Sequence, residues 1–211
     1  MRAPLNELGY RFGLAATAFA VAYVVVQLLQ LAGALAFPLD EILIYGTSLG
    51  IVVPFVLQVL ALHHLTPRDT QFWSHGAVLF AVIYAVFVTA NYVVQLATVV
   101  PAKLRGEGAG LLEQTPHSLF WNYDAIGYIA MGLALLLAMP ALGRTGLERR
   151  ARWALLAHVA VTPLISIVYF YPTYSTRLLL LGFPWAVTAP LAMWMLARAI
   201  RARPEGPPGP A

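Results

Sequence analysis

The sequence predicts an all-α integral membrane protein, a bundle of six transmembrane helices with the N- and C-termini cytoplasmic. This fold class rests on composition, on the spacing of apolar stretches, and on the distribution of basic residues. Of the 211 residues, 60% are hydrophobic and only 10% are charged, and the mean hydropathy is +0.75. Because soluble domains carry about a quarter of charged residues, we expect lipid to surround most of this chain.

Six apolar stretches are long enough to cross a hydrocarbon core about 30 Å thick. They run roughly over 14–36, 42–63, 76–100, 117–142, 152–172 and 178–199. The first resembles the apolar core of a signal peptide, with Ala34-Leu35-Ala36 as a cleavage pattern, but its length favours a retained helix. The prediction is one transmembrane domain, residues 1–203, followed by a Pro- and Gly-rich disordered tail at 204–211.

The basic residues predict the orientation, since cytoplasmic loops of membrane proteins are enriched in Lys and Arg. With the N-terminus inside, only Lys103, Arg105 and Arg177 lie outside. The cytoplasmic side then holds Arg2, Arg11, Arg68, Arg144, Arg149, Arg150, Arg152, Arg198, Arg201 and Arg203. We expect a multi-pass protein of a bacterial-type plasma membrane. The Lys and Arg residues lie near the helix ends and form no separate basic patch, so nucleic acid is not expected as a partner.

Polar residues inside the spans recur at helical spacing and should face the bundle interior, because unpaired polar groups facing lipid are costly. The first span carries Tyr23, Gln27 and Gln30, and the second carries Tyr45, Thr47 and Ser48. Later stripes are Tyr84, Asn91, Gln95 and Thr98 in the third; His117, Trp121, Asp124 and Tyr128 in the fourth; and His158, Thr162, Ser166, Tyr169 and Thr173 in the fifth. Most belong to the outer half, which predicts a polar chamber open to the outside. The alternative is that these groups only join helices by hydrogen bonds.

Asp124 is the residue on which the functional interpretation depends. If Thr115 caps the fourth helix and Pro116 begins it, Asp124 lies about 12 Å along the axis. An acid at that depth usually faces a bundle interior or a wet cavity. Three hypotheses remain open: a headgroup-level residue, an ion pair with Arg177 or Lys103, or an acid that binds a ligand or a proton.

The predicted ligand-binding residues are Asp124, Asn91, Gln95, Asn122, Tyr169, Gln27, Gln30 and Arg177. The function they favour is binding, sensing or transport of a small amphipathic molecule through the outward-facing chamber. A membrane-embedded enzyme acting on a lipid or isoprenoid is the alternative, with Asp124, His117 and Glu113 as weak acid–base candidates. A further alternative is an accessory subunit of a larger membrane complex, or a homo-oligomer. The loop at 101–115 is interpreted as a connector or as a lid over the chamber.

Neither a metal nor another cofactor is expected. The chain has no cysteine, which excludes disulfides, thiolate metal sites and cysteine nucleophiles. His63, His64, His75 and His158 approach the cytoplasmic face without a pair at His-x3-His spacing. No Gly-rich phosphate loop, His-Glu-x-x-His sequence or nucleophile elbow is present. The bilayer and a small amphipathic ligand are the expected partners.

Overall fold

The computed structural model of the chain describes residues 4–204. Arg2 and nearly all of the predicted tail at 204–211 lie outside the described residues. Helix makes up 79% of the chain, and no strand occurs in the part that the structure describes. Five helical runs are long and apolar enough to cross a membrane: Leu5–Leu31, Leu39–His64, Gln71–Leu104, Leu119–Ala141 and Gly146–Phe170. The chain is therefore a multi-pass membrane protein.

Helices α1 (Leu5–Leu31) and α2 (Leu39–His64) form the first two of these runs. The first begins at Leu5 and not near residue 14, because its polar first turns continue the helix beyond the apolar stretch. In α2, Asp40 and Glu41 occupy the first turn and His63 and His64 the last. Acidic residues at the N-terminus of a helix interact favourably with its dipole, which supports this start.

The third run is not uniform along its length. It consists of α3 (Gln71–Val94), a π-helical turn (Gln95–Val99) and α4 (Val100–Leu104). Pro101 lies two residues after the end of the π turn, and its ring would clash with the carbonyl four residues earlier in a regular α-helix. The wider π turn accommodates that position. The helix consequently extends past its predicted end near residue 100 and turns Gln95 toward the following loop.

The fourth span agrees with its prediction over 117–142, but its predicted cap at Thr115 is wrong. Helix α5 (Leu119–Ala138) is capped by Ser118, whose side-chain oxygen accepts the N–H of Trp121 at 3.1 Å. His117 has a φ of +66° and lies before the helix. Asp124 therefore sits only five residues past Leu119, about 7–8 Å along the axis. The next helix, α6 (Gly146–Phe170), by contrast begins earlier than the predicted residue 152.

The sixth apolar stretch is not one continuous helix, contrary to its prediction over 178–199. It forms a short α7 (Thr176–Leu179), a turn, and α8 (Trp185–Arg201). Pro184 precedes α8 and lacks the N–H that would continue the helix from the turn. With 17 residues, α8 spans about 25 Å, which is less than a hydrocarbon core of about 30 Å.

The long helices form a closed ring in chain order. Each packs against its neighbours in sequence, and α8 packs against both α6 and α1. Small residues permit close crossings: a Cβ on Gly13 would lie 2.5 Å from the Cβ of Ala197, and one on Gly132 would lie 2.1 Å from Oγ1 of Thr162. At the end of the ring that holds the start of α1, Asn6 Nδ2 donates to the backbone oxygen of Arg203 at 2.9 Å.

The two ends of the ring differ in packing. Toward the Asn6 end, the interior is filled by large side chains under 2% exposed: Phe55, Leu62, Met131, Leu135, Met193 and Leu196. The Arg203 side chain also joins the start of α6 to the end of α2 at that end of the ring. It donates to Glu148 Oε1 at 2.7 Å and to the Leu65 carbonyl at 3.2 Å. Polar side chains and open space are concentrated at the opposite end.

Candidate functional site

A cavity of about 460 Å³ occupies the end of the ring opposite Asn6 and Arg203. Its lining comes from the last turns of α1, the first turns of α2 and α5, the last turns of α3 and α6, and the segment around α7. A second cavity of about 20 Å³ shares Asp124, Tyr23, Tyr92, Tyr128 and Trp185 with it. That smaller space suffices for about one water molecule. The larger cavity therefore ends beside Asp124, and only the smaller space lies beyond that residue.

Asp124 lies on the cavity wall with only 4% of its surface exposed. Its Oδ1 accepts the Tyr92 hydroxyl at 2.6 Å, and its Oδ2 accepts Gln114 Nε2 at 3.1 Å. The Tyr169 hydroxyl also donates to Oδ2. All three donors are neutral, and Asp124 forms no ion pair with any residue in the range 4–204. The hypothesis of an ion pair with Arg177 or Lys103 therefore does not describe this geometry, whereas the headgroup-level hypothesis stays a prediction.

Asn91 and Gln95 position the loop and do not line the cavity. Asn91 Nδ2 donates to Gln114 Oε1 at 3.1 Å. Gln95 Nε2 donates to the Leu112 carbonyl at 2.8 Å, and its Oε1 accepts the backbone N–H of Gln114 at 3.2 Å. Both side chains are fully buried. They act on Asp124 indirectly, because they hold the Gln114 side chain that donates to it.

Gln27 and Gln30 lie on the cavity wall, as does Tyr169. Gln27 Nε2 donates to the Tyr23 hydroxyl at 2.7 Å, and that hydroxyl lies 3.2 Å from the Tyr128 hydroxyl. Gln30 Nε2 donates to Asp40 Oδ2 at 2.8 Å. The polar stripe of α1 therefore meets the stripe of α5 across the cavity.

Four of the sequence candidates lie away from the cavity. Asn122 and Arg177 are exposed, and neither lines it. His117 is also exposed, on the segment before α5. Glu113 accepts Lys103 Nζ at 2.6 Å, and the same nitrogen donates to Glu41 Oε1 at 2.9 Å. The acid–base set of Asp124, His117 and Glu113 is therefore not assembled on the cavity wall.

The structure adds residues that the stripes did not single out, chiefly Tyr92, Gln114 and Trp185. Tyr92 follows Asn91 directly, so it lies about 100° away from the predicted face of α3. Gln114 comes from a loop, where no periodicity exists to mark it. Trp185 opens α8 after the turn that interrupts the sixth stretch.

Aromatic rings form a continuous part of the wall. The Trp185 ring meets those of Tyr23 and Tyr128 edge-on, each with centroids 5.4 Å apart. The Tyr169 ring continues this surface, 5.9 Å from Tyr128 and 4.5 Å from Trp121.

Two buried polar atoms on the wall have no partner within residues 4–204: Trp185 Nε1 and Glu41 Oε2. Unpaired buried polar atoms are costly, so a bound molecule could satisfy them.

One side of the cavity is apolar and reaches the outer surface of the ring. This part of the lining comes from α1 and from the α7–α8 segment, and its side chains are 40–75% exposed: Leu28, Leu31, Leu179, Leu180 and Phe183. In a multi-pass membrane protein, exposed apolar side chains at such a position face lipid. The cavity therefore combines a polar interior with an apolar border on the lipid side.

No metal-binding group is found among residues 4–204, taking three or more His, Cys, Asp or Glu side chains as the requirement. The His63 ring lies 5.5 Å from His64 and 5.4 Å from His75 by centroid, far from the cavity end. Comparison with known proteins found no matching family model, no matching curated protein and no matching solved structure.

Proposed function

We propose that this protein binds a small amphipathic molecule in the cavity beside Asp124, as a sensor or as a transporter. The observation that carries the proposal is the cavity itself, about 460 Å³ in volume, which lies in the range of small-molecule sites. Its buried carboxylate and tyrosine hydroxyls suit a polar head, and its apolar border suits a hydrocarbon part. The unpartnered Trp185 Nε1 and Glu41 Oε2 give such a molecule further groups to satisfy.

The proposed topology is six crossings, with both termini cytoplasmic and the cavity open to the outside. Contact between Asn6 and Arg203 supports an even number of crossings, because the start of α1 and the end of α8 lie together. The segment of α7 and α8 would supply the sixth. The basic residues support the orientation, since Lys103, Arg105 and Arg177 alone belong to the cavity end among the described Lys and Arg.

Single cysteines test this proposal cleanly, because the natural chain has none. Val24 lines the cavity, whereas the adjacent Val25 is 47% exposed on the outer surface of the ring. A membrane-impermeant methanethiosulfonate reagent needs a thiolate, which forms in water and not in lipid. Added outside, it should modify Val24→Cys at least tenfold faster than Val25→Cys. Gly108→Cys, on the exposed loop, gives the rate for open access.

The outcomes separate the alternatives. Modification of Val24→Cys from the outside alone supports an outward binding or sensing site, and modification from both sides supports transport. Modification only from the inside would refute the orientation. An accessory subunit whose polar stripes merely join helices would leave Val24→Cys as unreactive as Val25→Cys, and the proposal would then fail.

A further inference from the structure

The charge on the cavity wall has one sign. Its lining includes two carboxylates, Asp124 and Glu41, and none of the Lys, Arg or His residues of the described chain. Lys103 Nζ binds Glu41 Oε1 at 2.9 Å and Glu113 Oε1 at 2.6 Å, so one ammonium is shared by two carboxylates and compensates Glu41 only in part. No cation compensates Asp124 within residues 4–204. Buried charges in proteins are ordinarily paired, so a bound cation would supply the partner that an ionised Asp124 lacks.

The hydrogen bonds around Asp124 suit this role. A carboxylate has about four acceptor positions, and three of them are filled by Tyr92, Tyr169 and Gln114. These donors fix the orientation of the carboxylate but add no formal charge. One acceptor position remains for an ammonium N–H, and a fully alkylated ammonium needs none, since it is attracted by charge alone.

The aromatic rings supply the second half of a cation site. Organic ammonium groups bind against the faces of Trp and Tyr rings within about 6 Å of the centroid. Trp185, Tyr128, Tyr169 and Trp121 form a connected surface with neighbouring centroids 4.5–5.9 Å apart, and all four line the cavity with Asp124. A carboxylate beside clustered aromatic faces attracts a cation by two independent means.

From these contacts, we infer that the ligand is an amphipathic organic ammonium, with its charged head beside Asp124 and its hydrocarbon part toward Leu28 and Phe183. This inference rests on the proposed function and names the chemical class of the molecule. The same chemistry occurs in free amines and in the headgroups of choline and ethanolamine lipids.

The test uses three probes that share a six-carbon tail: hexyltrimethylammonium, hexanol and hexyl sulfate. The purified full chain is placed in nanodiscs of a neutral glycolipid, which contain no ammonium group and no net charge that would itself concentrate a cationic probe. Binding is measured by tryptophan fluorescence and by protection of Val24→Cys from modification. We expect hexyltrimethylammonium to bind at least tenfold more tightly than either other probe. A matched series in discs containing phosphatidylcholine distinguishes the two sources. If the site binds lipid headgroups, phosphatidylcholine should compete and weaken binding of hexyltrimethylammonium. If the site binds only free amines, the affinity should be unchanged.

Substitutions of single carboxylates test whether Asp124 is the group that attracts the ammonium. Asp124→Asn should weaken hexyltrimethylammonium binding at least tenfold and leave hexanol binding within threefold. Glu107→Gln removes a carboxylate at the same end of the ring that is 58% exposed, paired with Arg105 and away from the cavity, and it should leave all affinities within threefold. If Asp124→Asn does not fold, the comparison of the three probes on the unmodified chain still decides the inference.

Two results would overturn the inference and are distinguishable. Equal binding of hexanol or hexyl sulfate would remove the cation preference while leaving the proposed amphipath site intact. Failure of all three probes to bind or protect Val24→Cys would overturn the proposed function together with the inference.

Discussion

Removal of one hydroxyl, in Tyr169→Phe, tests whether Asp124 is a charged acceptor. Tyr169 is 8% exposed and donates its hydroxyl hydrogen to Asp124. Hydrogen bonds to charged groups contribute about 1.5–3 kcal/mol, whereas neutral hydrogen bonds between membrane helices average about 0.6 kcal/mol. Tyr169→Phe should therefore lower the free energy of unfolding by about 1.5–3 kcal/mol in the natural chain, and by about 0.6 kcal/mol in an Asp124→Asn background.

The measurement is reversible unfolding of the four proteins in bicelles, followed by tryptophan fluorescence. The difference between the two backgrounds isolates the contribution of the carboxylate charge, and about 1 kcal/mol or more is expected. Tyr128→Phe is the matched control, because its hydroxyl lies 3.2 Å from Tyr23 and does not bond Asp124. Its effect should be the same in both backgrounds. A difference for Tyr169→Phe below about 0.5 kcal/mol would mean that Asp124 is not ionised, and the reasoning about a charged site would be refuted.

Two further predictions concern the ring. Gly132→Ala should lower the free energy of unfolding by about 1–3 kcal/mol, because the new Cβ would lie 2.1 Å from Thr162 Oγ1. The double variant with Thr162→Ala should recover most of that loss, and no recovery would contradict the assigned crossing. Arg203→Ala should cost about 1–3 kcal/mol, because it removes the half-buried ion pair with Glu148 at 2.7 Å and the hydrogen bond to the Leu65 carbonyl at 3.2 Å. Arg201→Ala should change stability by less than about 0.5 kcal/mol, because its side chain is 57% exposed; equal losses in thermal melts would contradict this.

The sequence predicted the helical membrane fold well, because the composition and the length of apolar stretches depend on the bilayer and not on tertiary contacts. It also predicted the stripe partners Gln27 and Tyr23 on α1. The predicted extent of the sixth helix was wrong, because apolarity continues through Gly182 and Pro184, where backbone chemistry interrupts the helix. A hydropathy average over the apolar stretch does not detect that break in the helix.

The candidate site could be predicted only in part. Asp124 and Tyr169 were identifiable as polar residues on helical stripes, and their direct hydrogen bond makes them neighbours in the structure. The site residues Asn91 and Gln95 instead bind the loop, because the orientation of α3 places Tyr92 toward Asp124. The periodicity of a single helix shows which side chains share a face, but it does not show how that face is rotated relative to the next helix. Loop residues such as Gln114 have no periodic signal at all.

The contact between Asn6 and Arg203 makes the chain nearly cyclic. Because the last helix of the ring packs on the first, a short linker from residue 4 to residue 204 would close the polypeptide without crossing the bundle. New ends could then be opened in the exposed turn at Pro67, Arg68 and Asp69, between α2 and α3. A circular permutant opened there would retain every neighbouring helix pair and the walls of the cavity. Order along the chain would change while the arrangement in space would not.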